Sequence, residues 1–218
     1  MQKLVPKYDR YGNLKCHVML YDYEQQDYCN LSTKKELLNG KYIYKCQTIN
    51  DYVALDIETT GLSPKTNEII NIGAIRYRNN LPVDEFDVLV KPEHRIPAFI
   101  TELTGISNAM VAKSPCIGSV LPLLIDFIGR DIILGHNVKF DINFLNYAME
   151  AHGYDDFITK YMDTMWMARS FRKNNSLEIL VRDYVNPNYI EKHTGLDDAK
   201  HTAKLFLVLR DKIAGRGC

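Results

Sequence analysis

The chain has 218 residues, 46% apolar and 25% charged, enough for one ordinary folded domain with a small addition and unlike a disordered or low-complexity polymer. Its 27 basic and 27 acidic side chains cancel, so no global positive field draws it onto polyanions. That disfavours a dedicated high-affinity nucleic-acid binder but not an enzyme, whose bound cations the formal count omits.

The first fifty residues stand apart, with seven of the fourteen tyrosines and three of the five cysteines. Residues 17–23 and 41–47 have the mixed apolar and aromatic composition of short strands. Between them Thr33-Lys34-Lys35-Glu36 reads as a capping box for a short helix that Asn39-Gly40 closes. A small β/α appendage over 1–50 is expected, either as a separate unit or as an extension of the main domain over 51–218. The five cysteines (16, 29, 46, 116, 218) are odd in number and lack CxxC spacing, so a disulfide scaffold is not expected and a reducing cytoplasm is. Cys16, His17, Cys29 and Cys46 are too irregularly spaced for a zinc site.

From Asp51 onward the periodicity is clearer. Residues 52–57 suit a buried central strand. Residues 69–78 and 81–90 suit two more strands, joined by Asn79-Asn80 as a tight hairpin. Short helices are expected over 100–103 and 120–127, a brief strand over 132–134, and helices over 141–152, 164–171, 177–184 and 199–213. This order implies a mixed α/β sheet flanked by helices. No apolar run approaches the ~20 residues of a membrane span, and the first residues lack the apolar core of a signal peptide.

Asp56 and Glu58 are two apart on the first of these strands, so their carboxylates leave the same face. Such a pair is harmless if it emerges into solvent; in a partly buried place it calls for a cation. Thr59-Thr60-Gly61-Leu62 follows, a turn that lets a ligand approach the backbone. His136 and Asn137 follow the strand over 132–134, where α/β sheets place ligands. Asp141 either caps its helix or serves a site, and Asp197 and Asp198 either complement a helix dipole or do likewise. Singly, each acid has an ordinary explanation. Their joint occurrence in this order favours carboxylates that hold divalent ions for phosphoryl displacement.

Leu55-Asp56-Ile57-Glu58-Thr59-Thr60-Gly61-Leu62 resembles the first motif of the DEDD exonuclease superfamily, and Gly135-His136-Asn137-Val138-Lys139-Phe140-Asp141 resembles the second. His193-Thr194-Gly195-Leu196-Asp197-Asp198-Ala199 resembles the third in its DEDDh form, the group that includes the proofreading epsilon subunit of DNA polymerase III, RNase T and oligoribonuclease. Ile100-Thr101-Glu102-Leu103-Thr104-Gly105-Ile106-Ser107 resembles a linker of the epsilon-like branch. The resemblance spans about Tyr52 to Leu209.

It implies an RNase H-like fold and removal of nucleoside monophosphates from DNA or RNA 3′ ends, in proofreading or repair. It further implies two Mg²⁺ or Mn²⁺ ions held by Asp56, Glu58, Asp141 and Asp198, with His193 as general base. Substrate contacts are implied at Thr59, Thr60, Gly61, Leu62, His136, Asn137 and Phe140, with Leu62 and Phe140 equally explicable as core. Gly195 stands where alanine is commoner, an expected loosening of the loop that carries His193. The expected partners are single-stranded or frayed 3′ ends and a DNA polymerase, and no membrane. The competing expectation is a catalytically idle exonuclease fold that binds nucleic-acid ends or a polymerase. DNA versus RNA, strand preference and oligomeric state are not written in the sequence.

Overall fold

The structure, a computed structural model, describes residues 3–8, 14–20, 49–154, 161–169, 171–190 and 193–214. Two strands, β1 (Lys3–Tyr8) and β2 (Leu14–Leu20), pair antiparallel as a separate two-stranded sheet. The strand expected over 17–23 is therefore set three residues earlier, and β1 was not foreseen because Pro6 interrupts its pattern. The helix expected near 33–40, the strand over 41–47 and the side chains of Cys16, His17, Cys29 and Cys46 lie outside the described residues.

The main sheet has five strands in the order β5-β4-β3-β6-β7. They are β3 (Tyr52–Thr59), β4 (Ile69–Arg78), β5 (Leu81–Leu89), β6 (Ile133–Gly135) and β7 (Tyr161–Asp163). The β3–β4 and β4–β5 pairs are antiparallel, whereas β6 runs parallel to β3 and β7 parallel to β6. The β4–β5 turn is Asn79-Asn80, both with positive φ (50° and 62°), the backbone that a two-residue hairpin needs and asparagine tolerates. The helices are α1 (Ala98–Thr104), α2 (Asn108–Val111), α3 (Ile117–Ile128), α4 (Lys139–Ala151), α5 (Thr164–Ala168), α6 (Leu177–Tyr184) and α7 (Gly195–Ala214). Strand β7 was not foreseen, since three residues carry too little alternation to be read. This is the mixed, helix-flanked sheet of the RNase H-like fold.

Alternation along β3 sorts the core into two layers. Tyr52 and Ala54 pack with Leu180 and Val181 of α6 and Ala203, Phe206 and Leu209 of α7. Val53, Leu55 and Ile57 face the other way, against Val120, Leu121 and Leu124 of α3 and Ile142 and Leu145 of α4. Asp56 and Glu58 have the parity of Tyr52 and Ala54, so the sheet sends them toward the α7 side. A satellite cluster of Ile70, Ile96, Ile100, Ile106 and Val111 seats α1 and α2.

Candidate active site

The acids of β3 meet the start of α7. One carboxylate oxygen each from Asp56, Glu58 and Asp198 lies within 4.8 Å of the others, the spacing of ligands around a shared cation. Asp198 is buried and the other two are partly buried. Desolvation pushes the Asp198 carboxyl above its usual range, while the Tyr189 hydroxyl and the nearby His193 pull it back. Three crowded acids beside an apolar core are costly unless a cation neutralises them, so this donor set fits a divalent ion with oxygen preference.

Asp141 reaches the same strand from the opposite layer and stands outside that group of three. Strand β6 pairs with β3 only at Val53 and Ala54, and leaves the backbone of Ile57 without a ladder partner on that side. Asp141 takes the place of that partner: its Oδ1 accepts from Ile57 N at 3.0 Å. Because α4 begins at Lys139, Asp141 sits inside the first turn. Burial drives its carboxyl well above the usual carboxylate range, against the hydrogen bond from Ile57 and with the help of nearby Asp163.

The junction of α7 with the sheet depends on two glycines. A methyl group at Gly73 would overlap Leu196 N and Gly195 C, and one at Gly195 would lie 2.7 Å from Asp56 O and 2.9 Å from Gly73 N. The helix thus starts directly on β3 and β4, which brings Asp198 to the acids. Gly195 is not the loosening expected from its sequence: it is buried, and its N–H donates to Asn71 Oδ1 at 3.1 Å. Asn71 is itself fixed through Nδ2, which donates to Asp87 Oδ1 at 2.9 Å and Val88 O at 3.2 Å. Two residues before Gly195, His193 adopts a left-handed backbone (φ 49°), is partly buried, and lies close enough to Asp198 to lower its pKa.

The turn after β3 is braced from within. Thr59 Oγ1 donates to Gly61 O at 2.7 Å, and Thr60 Oγ1 accepts from Glu68 N at 2.9 Å. At Gly61 a side chain would collide with Asn67, at 2.6 Å. Leu62 is 86% exposed, so it is not a core residue, and an apolar side chain is left facing solvent beside the acids' strand. Phe140 is partly buried, its ring 4.9 Å from that of Phe144.

His136 and Asn137 are held rather than free. Neutral His136 donates from Nε2 to Asn175 O (2.9 Å) while Nδ1 accepts from the Thr164 hydroxyl (2.9 Å). Burial lowers its pKa to about 4. Asn137, at φ 56°, donates its N–H to Asp163 Oδ1 at 3.0 Å, an oxygen that also accepts from Met165 N and caps α5. Asn71, Asp163, Thr164 and Tyr189 were missed in the sequence. For Asp163 the signal is an acid directly after the apolar Tyr161-Met162, as Asp56 follows Leu55; for Asn71 and Tyr189 there is no signal without the fold.

The chain is similar to known proteins over most of the described residues. Residues 53–206 match the family described as Exonuclease. DNA polymerase III PolC-type of Caldanaerobacter subterraneus subsp. tengcongensis is 36% identical over 166 residues, which are 75% of this chain and 12% of that protein. The chain thus spans only about an eighth of the length of such PolC-type relatives. DNA polymerase III subunit epsilon of Aquifex aeolicus is 32% identical over 166 residues, 74% of this chain and 81% of that protein. Among solved structures, exonuclease X in complex with 5′ overhanging duplex DNA superposes with a TM-score of 0.58 at 25% identity, covering 77% of this chain and 93% of that one. The nuclease domain of 3′hExo, a DEDDh family member bound to rAMP, shares the fold with a TM-score of 0.63 at 22% identity, over 75% and 94% of the two chains. The chain belongs to the exonuclease family.

Proposed function

We propose that the protein trims DNA from 3′ ends in single-nucleotide steps, with Asp56, Glu58, Asp141 and Asp198 holding two Mg²⁺ or Mn²⁺ ions. The observation that carries this is the convergence of Asp56, Glu58 and Asp198 within 4.8 Å from two distant parts of the chain. Bound there, the cations would supply charge stabilisation to the phosphoryl transition state and acidify the attacking water. His193 would accept a proton from the attacking water at a ring nitrogen, as general base. Exposed Leu62 lies against the terminal base, with Thr59, Thr60 and Gly61 presenting backbone to the last nucleotide. Asn137 and Phe140 border the same pocket, and His136 shapes it through Thr164 and Asn175 rather than by direct contact. The polymerase III names of the relatives favour DNA over RNA, a DNA polymerase as working partner, and a cytoplasmic setting. Among the described residues no helix is long and apolar enough to cross a membrane.

The test is digestion of 5′-labelled single- and double-stranded DNA and RNA with Mg²⁺, Mn²⁺ or chelator. The expected outcome is a ladder that shortens from the 3′ end of DNA strands, single strands or frayed ends first, and stops in chelator. Binding without cleavage in either metal would instead identify an idle end-binding module.

A further inference from the structure

Tyr189 lies in the segment between α6 and the His193 turn and is only 5% exposed. Its ring belongs to the core layer formed with Ala199 and Ala203, and it packs against the His201 ring at 4.3 Å between centroids. His201 is itself fixed, with Nδ1 2.9 Å from Asp197 O and 3.5 Å from Asp197 Oδ2. From this wedged position the Tyr189 hydroxyl donates to Asp198 Oδ1 at 2.8 Å.

A carboxylate at the end of a short side chain can rotate about its last bond, and a cation pocket needs it in one orientation. A buried ring with two packed neighbours makes a rigid mount for the donor that selects that orientation. Asp56 and Glu58 take their orientation from a strand, whereas Asp198 stands at the first turn of a helix, where the backbone alone fixes less. We infer that Tyr189 is a positioning residue of the acid pocket, its hydroxyl setting the carboxylate plane of Asp198 for cation binding. The inference rests on the reading of Asp198 as a cation ligand. Groups that hold ligands in this way change cation affinity or activity by about 10–100-fold when removed.

Tyr189→Phe removes the hydroxyl and keeps the ring, its burial and its contact with His201. Calorimetric titration of the full chain with Mn²⁺ and with Mg²⁺, for wild type, Tyr189→Phe and Asp198→Asn, reads the effect directly. The expected result is cation binding weakened about 10–100-fold in Tyr189→Phe, with cooperative thermal unfolding retained. On an oligonucleotide, kcat falls while KM for the strand holds, and excess Mn²⁺ restores most of the rate. Wild-type affinity in Tyr189→Phe with binding lost in Asp198→Asn would overturn the inference alone. Wild-type affinity in both variants would overturn the acid-pocket reading as well.

Discussion

Burying Asp141 takes its carboxylate out of water, and the N–H of Ile57 is the group on β3 that answers it, at 3.0 Å. The bond closes a gap in the sheet and places an acid beside the β3 pair, so a structural role and, on the proposed reading, a chemical one fall on one side chain. Asp141→Ala leaves Ile57 N–H buried without an acceptor, at an expected cost of about 1–3 kcal/mol in urea unfolding. Asp141→Asn keeps the acceptor and removes a carboxyl whose ionisation burial opposes, so its metal-free stability should match or exceed wild type while hydrolysis is lost. Equal destabilisation by both substitutions would contradict this assignment. His136 gives a pH signature. Its folded pKa, lowered to about 4 from the usual 6.5, means that the unfolded chain takes up a proton first as pH falls. Its contribution is complete above pH 6.5 and is lost on descent to pH 4, a change of about 3 kcal/mol. The stability gap between wild type and His136→Gln should shrink by that amount between pH 7.5 and 4; a constant gap would show that His136 is not buried in the neutral form.

Helix α7 reaches the sheet only because Gly73 and Gly195 let two backbones touch, and this contact sets where Asp198 stands. In Gly73→Ala the added methyl overlaps Leu196 N and Gly195 C, which are backbone and cannot swing aside. The helix start must lift, and the variant should lose about 1–3 kcal/mol of stability together with most of its nuclease activity, measured by urea unfolding and oligonucleotide trimming. Full activity would show that the helix tolerates the shift. Elements with strong periodicity or turn chemistry were legible in the sequence: the Asn79-Asn80 hairpin, the buried β3 and the helix ending at Tyr184. What was not legible depends on tertiary approach. Gly195 read as slack because a missing side chain looks like freedom until Asp56 O, 2.7 Å from where a Cβ would stand, shows what it makes room for. Asn71 and Gly195 are 124 positions apart, and only the folded sheet joins them. The four motif acids were legible because their residue types are costly in such surroundings without a purpose, whereas Tyr189 is an ordinary core aromatic until its hydroxyl is seen on Asp198.

For the molecule as a whole, the sheet acts as a partition with chemistry at one rim. Its α7 layer brings Asp198 to Asp56 and Glu58, with His193 near Asp198, and its α4 layer brings Asp141 to the backbone between them. Neither layer alone holds the set, so the acid pocket exists only in the native fold. Removing one member should therefore abolish cleavage without unfolding the chain, because it also relieves like-charge crowding. The most direct measurement is release of mononucleotides from a 3′-end-labelled DNA strand in Mg²⁺, comparing wild type with Asp56→Ala at matched thermal midpoints. Wild type should release mononucleotides steadily and the variant none above background. Release by Asp56→Ala at the wild-type rate would contradict this.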